Sequence, residues 1–282
     1  MLGAALFSLG TAINWSAQAE TSGLPRKHGL PEGQVSDVFG IEPGMTLVEV
    51  RKTLAAQFPT AFAGCSHLLE TSNKLLCRIT PQAYYEEITG RPLSRAAQTP
   101  DAAYISNLVL TVEEGGIKRS IEVFFGSGLA GREAYRISGT TRYAESAQPE
   151  MADYQKEFAR KFGPLAVAQA RGTASVSRAV FINGARVPDT ESDEAALECV
   201  EMAKAATSAH DVRAMGSHVV SRYLTQPPCD VMIGLAMAQG PMPGSLGAVT
   251  VVVFDAARMG KIFQAEAQRL ADAPRAPVPL GR

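Results

Sequence analysis

Twice along the chain, an amphipathic helical pattern is followed by segments in which apolar and polar residues alternate. In the first series, Leu47, Val50 and Leu54 recur at helical spacing before Pro59, which cannot continue a helix. The second helical pattern lies 104 positions later, where Met151 aligns with Leu47. Helices followed by antiparallel strands, repeated once, predict an α+β fold of two modules, each with helices packed on one face of an antiparallel β-sheet.

The start of the first helix carries a capping box. Thr46 can accept a hydrogen bond from the first turn, and Glu49, three residues later, can reach back to the Thr46 amide. The second helix is expected to begin after Pro149 and to end at Gly163. Two further helices are expected over residues 193–206 and after Met259.

Alternating segments predict the strands and the organisation of the chain. Glu114-Gly115-Gly116 is typical of a hairpin turn. The predicted strands cover residues 108–112, 121–125, 135–143, 179–183, 231–237 and 249–254. The predicted domains are a signal peptide over 1–19, a flexible leader over 20–38, a first α+β module over 39–146, a second over 147–273, and a Pro-rich tail over 274–282.

The N-terminus resembles a signal peptide. The first nineteen residues carry no charge, and the apolar run over residues 2–13 is too short to span a bilayer. Small residues follow it, so we expect cleavage between Ala19 and Glu20. The usual Lys or Arg before the apolar run is missing, so a buried N-terminal helix remains the alternative. No later segment has eighteen consecutive apolar residues, and we expect a periplasmic or secreted protein with no membrane span after cleavage.

Four cysteines fit an oxidising compartment. The local connectivity pairs Cys65 with Cys77 and Cys199 with Cys229, and needs no contact between the halves. The alternative is metal or thiol chemistry, because histidines lie near these cysteines in the sequence. The candidate ligand sets are Cys65 with His67, and Cys199, His210, His218 and Cys229. Their gaps are wider than zinc ligands usually show, so we expect structural disulfides and no metal.

The first helix start carries a family resemblance. Gly44-Met45-Thr46-Leu47-Val48-Glu49-Val50, followed by Phe58-Pro59, resembles small envelope modules of the β-lactamase inhibitory protein type, which include the small lipoprotein of the outer-membrane assembly machinery. The resemblance implies a helical segment on one face of a three- or four-stranded antiparallel sheet, in some members as a tandem, and a protein-binding or scaffolding role in the envelope. The second series lacks the Gly-Met-Thr start, no lipidated cysteine is present, and no binding residue carries over.

Enzyme signatures are incomplete. Gly126 to Gly131 has the spacing G-x-G-x-x-G, but the segment after it is rich in strand-forming residues, which favours a turn between antiparallel strands over a dinucleotide site. The acidic run over 189–194 lacks the glycine and final acid of a calcium loop. The adjacent carboxylates of Glu86 and Glu87 are typical of a solvated helix face. We expect no catalytic residues and no cofactor.

Charge and composition narrow the partners. The formal charge is −1, from 27 Lys and Arg against 28 Asp and Glu, and the arginines are scattered, which argues against nucleic acid. We therefore expect an exported, non-catalytic protein that binds another protein in the cell envelope. The exposed sheet face and the loop over 241–247 are the expected contact surfaces. The alternatives are a small-molecule or lipid carrier with a pocket between helix and sheet, and an enzyme.

Overall fold

In a computed structural model of the chain, the alternating segments join into one continuous antiparallel sheet. The structure describes residues 23–59, 77–78, 105–126, 133–163, 166–171, 174–188, 193–205 and 226–272. The strands are β1 Cys77–Arg78, β2 Ile105–Glu114, β3 Ile117–Phe125, β4 Ala134–Tyr143, β5 Ala166–Arg171, β6 Ala174–Ile182, β7 Ala185–Arg186, β8 Val231–Gln239 and β9 Leu246–Asp255. The helices are α1 Leu47–Gln57, α2 Met151–Phe162, α3 Glu194–Ala205 and α4 Ala256–Asp272. The chain has an α+β architecture.

The strand order places the two halves of the chain side by side. The order is β1-β2-β3-β4-β9-β8-β6-β5, with β7 paired to β6. Strands β2 and β3 form the predicted hairpin around Gly115 and Gly116, both with positive φ. The last strand of each half, β4 and β9, pair with each other from Arg136 opposite Phe254 to Arg142 opposite Ala248. No sheet edge therefore separates the halves at this point.

Helix α1 begins as the sequence predicts. The Thr46 hydroxyl accepts a hydrogen bond from the Glu49 amide at 3.3 Å, and the Glu49 carboxylate accepts one from the Thr46 amide at 2.8 Å. Leu47, Val50 and Leu54 are buried on its inner face. The capping box and the helical periodicity together account for this element.

Helix α2 covers the other half of the same sheet face. Phe158 and Phe162 are its buried residues, and the helix ends at Gly163 with a φ of 78°. Each of the two helices is preceded by one isolated antiparallel bridge, Thr46 with Glu133 before α1 and Glu150 with Ser245 before α2. The bridge partners lie directly before strands β4 and β9, so each helix start is fixed to the start of a central strand.

Helices α1 and α2 enclose the larger core against the sheet. Successive strand residues point to opposite faces of the sheet. The side chains of Val123, Ile233 and Val253 point to the face that α1 and α2 cover, so they lie in this core. It also contains Leu108, Leu110, Ile121, Phe125, Ile137, Phe181, Leu235, Met237, Leu246, Val249 and Val251.

The segment before α1 lies on the same face and contacts α2. Gln34 donates to the carbonyl of Phe162 at 3.1 Å, and Lys161 pairs with Asp37 at 2.9 Å. A Cβ atom at Gly139 in β4 would lie 2.6 Å from Val38 Cγ1, so only glycine leaves room for the segment at the centre of the sheet. Residues 23–38, predicted as part of a flexible leader, are thus packed against the body of the protein.

Helices α3 and α4 lie on the opposite sheet face. Phe124, Met232 and Phe254 point to that face and form a second, smaller core. The helical residues of this core are Ala196, Cys199, Val200, Met202 and Ala203 from α3, and Ala256, Met259 and Ile262 from α4. The helices of the second half therefore cover both faces of the sheet, whereas the sequence analysis placed them on one. The cause is that β8 and β9 carry large apolar residues at odd and even positions alike.

Candidate functional site

Part of the second face carries mostly small side chains, and it extends across five strands. Two rows of directly opposed residues make up this surface, which we name the shelf. One row is Ser120, Thr140, Thr250, Ala236 and Val176, and the next is Lys118, Arg142, Ala248, Ala238 and Ala174, on β3, β4, β9, β8 and β6 respectively. The shelf lies beyond the region that the second core occupies.

The exposure of the shelf shows that it is an open surface. Ala236 is exposed although its strand lies within the sheet, and Thr140, Thr250, Ala238 and Ala248 are only partly buried. An alanine presents only its Cβ and backbone above the sheet, so exposure of that residue requires open space directly over the strand. The Thr140 and Thr250 hydroxyls lie 3.0 Å apart and hydrogen-bond across the strands, which fixes both side chains.

Charge is concentrated at one corner of the shelf. Lys118 and Arg142 are directly opposed on β3 and β4, and both are exposed. Further along the same face, Arg136 is buried, with its guanidinium carbon 5.0 Å from the centre of the Phe124 ring. Within the shelf, the cationic side chains are thus on β3 and β4, and the residues on β9, β8 and β6 are uncharged.

A buried ionic cluster lies at the start of α4. The Asp255 carboxylate caps the helix by accepting from the Arg258 amide at 2.7 Å, and it also accepts from Arg258 Nε at 3.0 Å. Arg258 Nη1 donates to Glu133 at 2.7 Å. The guanidinium also donates to the carbonyls of Leu24 and Pro25 at 3.2 Å and 2.6 Å. The cluster therefore attaches the N-terminal segment to α4.

The same cluster is structural, despite its perturbed titration. Burial raises the pKa of Asp255 to about 6, while Arg258 opposes the rise. Perturbed carboxylates often mark active sites, but the Arg258 and Asp255 side chains are each only 1% exposed and Glu133 only 6%. A substrate cannot reach groups buried to that extent, so we assign the cluster to folding.

The structure contains one disulfide in its described part. Cys199 of α3 and Cys229 are bonded, with Cα atoms 5.7 Å apart, and both residues are buried. This is the pair that the local connectivity assigns to the second half. Cys65 lies outside the described residues, and of Cys77 only its backbone, in β1, is described, so the bond between them stays a prediction.

Titration of free thiols tests the complete pairing. Protein purified from an oxidising compartment, denatured and left unreduced, should release no free thiol, because both local bonds use all four cysteines. Absorbance after reaction with a thiol-reactive disulfide reagent gives the count. Two free thiols per chain would mean that Cys65 and Cys77 are not bonded, whereas the reduced sample should give four.

Most other sequence candidates fall outside the described residues. These are the cleavage site at Ala19 and Glu20, the carboxylates Glu86 and Glu87, and His67, His210 and His218. Gly126 lies directly after β3, and the glycine-rich segment that it begins connects β3 to the antiparallel neighbour β4. A dinucleotide site requires a helix and a parallel strand there, so this topology fits the turn. Asp193, one of the two described acids of the acidic run, caps α3 by accepting from the Ala196 amide at 2.9 Å.

Neither the ionic cluster nor the limits of the shelf was predicted from the sequence. Asp255 lies three residues before Arg258 at the end of an apolar strand. This pattern is a helix-start signal, and it could have predicted the start of α4. Glu133 carries no such signal, because its contact with Arg258 spans 125 positions. Within the described residues, no group of three His, Cys, Asp or Glu side chains is arranged to hold a metal ion. None of the described helices is both long and apolar enough to cross a membrane.

Comparisons with family models, with curated proteins and with solved structures give no match.

Proposed function

We propose that this chain is an exported, non-catalytic protein of the cell envelope, periplasmic or secreted, that binds another protein through the shelf. The observation that carries the proposal is the exposure of Ala236 within a continuous sheet. Small side chains let a partner approach the sheet backbone closely, and the fixed Thr140 and Thr250 hydroxyls offer hydrogen bonds. Exposed surfaces of this kind, next to polar residues, are typical of contact sites.

The size of the shelf suits the centre of a protein interface. Five strands at the usual spacing, over about four residues along each strand, give an area of about 300 Å². A stable interface buries about 800 Å² on each partner, so the shelf would supply its central part and the neighbouring loops its margin. The exposed side chains of Lys118 and Arg142 would form the polar edge.

We further propose that the protein is a tandem of two modules that share one sheet. A shift of 104 positions places Thr46 on Glu150, and a shift of 112 places Glu133 on Ser245, so the bridges that precede α1 and α2 correspond. The same shift of 112 relates Gly139 to Val251, which are directly opposed at the centre of the β4 and β9 pair. This correspondence supports a duplicated plan. Within the described ranges, β7, α3 and α4 of the second half have no counterpart in the first half.

Export is proposed on two grounds. The disulfide between Cys199 and Cys229 is typical of proteins that fold in an oxidising compartment. The uncharged apolar run over residues 2–13 has the length of a signal-peptide core. Together they favour the envelope as the place where the shelf meets its partner.

Site-specific cross-linking in cells that make the protein tests the binding proposal. Ala236→p-benzoylphenylalanine places a photoreactive group on the exposed part of the shelf, and irradiation should give an adduct with one protein, identified by mass spectrometry. Glu157, exposed on the outer side of α2, is the matched control and should give no such adduct. Equal labelling from both positions, or none from Ala236, would contradict the proposal.

A steric variant separates binding from folding. Ala236→Arg puts a long charged side chain on the open shelf. Because the position is exposed, the free energy of unfolding should change by about 0.5 kcal/mol or less. Binding to the identified partner, measured with purified proteins, should fall at least about tenfold because the close approach is blocked. Unchanged affinity would remove the shelf from the interface.

A further inference from the structure

The loop between β8 and β9 presents one large apolar side chain to solvent. Met242 lies between Pro241 and Pro243 and is 53% exposed. Among the described residues, only Val48 on α1 and Leu197 on α3 are other large apolar side chains with such exposure. Both of those lie on helices, so Met242 is the apolar residue that a loop projects from the described part of the fold.

Backbone bonds hold this loop in one conformation. The Met242 carbonyl accepts from the Ser245 amide at 3.1 Å and from the Ser245 hydroxyl at 2.8 Å. The Gly240 amide donates to the Ser245 carbonyl at 2.9 Å, which closes the loop. Gly244 adopts a φ of 82°, a conformation that glycine reaches without strain. Both prolines fix a backbone dihedral on either side of Met242.

The loop is also attached to the start of α2. The Met151 amide donates to the Gly244 carbonyl at 2.8 Å, and the Leu246 amide donates to the Pro149 carbonyl at 2.9 Å. The Ser245 hydroxyl lies 2.8 Å from the Gln148 side-chain oxygen. These bonds fix the backbone that carries Met242 before any partner binds. Fixing a contact residue beforehand lowers the entropy lost on binding.

The surroundings of Met242 define what it can contact. Glu150 is exposed, and its Oε2 atom would lie 3.4 Å from a Cβ at Gly244. Asp153, also exposed, lies in the first turn of the same helix. A flexible thioether side chain adapts to irregular apolar cavities. The Glu150 carboxylate next to Gly244, two positions along the loop from Met242, favours basic groups on the other surface.

We infer that the loop over 240–245 is a preformed recognition element, which inserts Met242 into an apolar pocket of the partner protein while Glu150 faces a basic side chain at the margin of that pocket. This inference rests on the proposed function, since it names the contact by which the same protein partner is held. It identifies the partner surface by its chemistry: a concave apolar pocket with Lys or Arg at its margin.

Cross-linking at Met242 and affinity measurements test the inference. The partner identified through Ala236 is purified and titrated by calorimetry with the unmodified protein and its variants. Met242→Ala should weaken binding at least about tenfold, whereas Met242→Leu, which keeps the apolar volume, should stay within about threefold. Val48→Ala, at an equally apolar and more exposed position on α1, should leave the affinity unchanged. Glu150→Gln should weaken binding, and more so at low salt.

The outcomes separate the two proposals. Two results together would support the inference. Met242→p-benzoylphenylalanine should cross-link to partner peptides that line an apolar pocket with a basic margin, and Met242→Ala should lose binding affinity. A partner that cross-links at Ala236 but binds Met242→Ala with unchanged affinity would overturn it and leave the binding proposal intact. Absence of any protein adduct at both positions would overturn the binding proposal, and with it the inference.

Discussion

Replacing Arg258 with methionine should lower the free energy of unfolding by about 3 to 5 kcal/mol. The guanidinium is 1% exposed and pairs with two carboxylates that are themselves buried, those of Asp255 and Glu133. Methionine fills much of the same volume but leaves both negative charges without their cation. It also removes the hydrogen bonds that the guanidinium donates to the carbonyls of Leu24 and Pro25, so the N-terminal segment should detach from α4.

Chemical denaturation gives the free energy, and Arg160→Met is the matched control. Arg160 pairs with Glu157 three residues earlier at 3.5 Å, the same spacing as Arg258 with Asp255, but its side chain is 80% exposed. Exposed pairs contribute about 0 to 1 kcal/mol, so this variant should unfold near the wild-type midpoint. Equal losses in the two variants would show that burial of the Arg258 cluster does not matter.

The loss in Arg258→Met should depend on pH. Burial raises the pKa of Asp255 to about 6, and Arg258 opposes the rise, so removing the cation raises that pKa further. In the folded variant, Asp255 then takes up a proton at a pH where the same carboxyl group of the unfolded chain, with a pKa of about 4, remains ionised. Stability of the variant relative to the wild type should therefore improve as the pH falls from 8 towards 5. A constant difference across this range would contradict the assignment.

Removing the disulfide between Cys199 and Cys229 should cost about 3 to 4 kcal/mol, for a loop of 30 residues. The bond restricts the unfolded chain between α3 and the start of β8, and both cysteines are buried in the second core. Denaturant midpoints of Cys199→Ala/Cys229→Ala, compared with the wild type, give the loss. Alanine avoids free thiols, and it leaves only small spaces in the core.

Reductant provides the control for that comparison. Reduced wild type should lose at least as much stability as the double variant, because reduction opens the same bond. The variant in oxidising buffer should keep its far-ultraviolet circular dichroism, since α3 also packs through Met202 and Ala203. A midpoint equal to that of the oxidised wild type would mean that the bond does not restrain the unfolded chain.

Local contacts were predictable from the sequence because both partners lie within a few positions. The capping box of Thr46 and Glu49 and the hairpin at Gly115 follow from residue type and spacing alone. The pairing of β4 with β9 joins Gly139 to Val251, and neither strand carries a residue that specifies its outer neighbour. The shelf was foreseen as an exposed sheet face, but its limits depend on how far α3 and α4 cover that face.

The N-terminal segment also has a local pattern that the sequence shows and distant contacts that it does not. Its glycines and prolines, between residues 20 and 38, favour a flexible leader when only neighbouring residues are considered. Its position is decided by the contact of Arg258 with Leu24, across 234 positions, and by Val38 over Gly139. A buried arginine is recognised only when the fold places carbonyls and carboxylates around it, so this part of the structure had no sequence signal.

The pairing of β4 with β9 also sets the order in which strands can pair when the chain appears with its N-terminus first. Strand β4 can form with β3 as soon as residue 143 has appeared, but its second edge has no partner until residues 246–255 follow. For the intervening hundred or so residues, a ten-residue strand edge would be open to pairing with other chains. Pairing with β9 closes this edge, so a chain that stops before β9 keeps it open. Truncation before β9 should therefore produce aggregates.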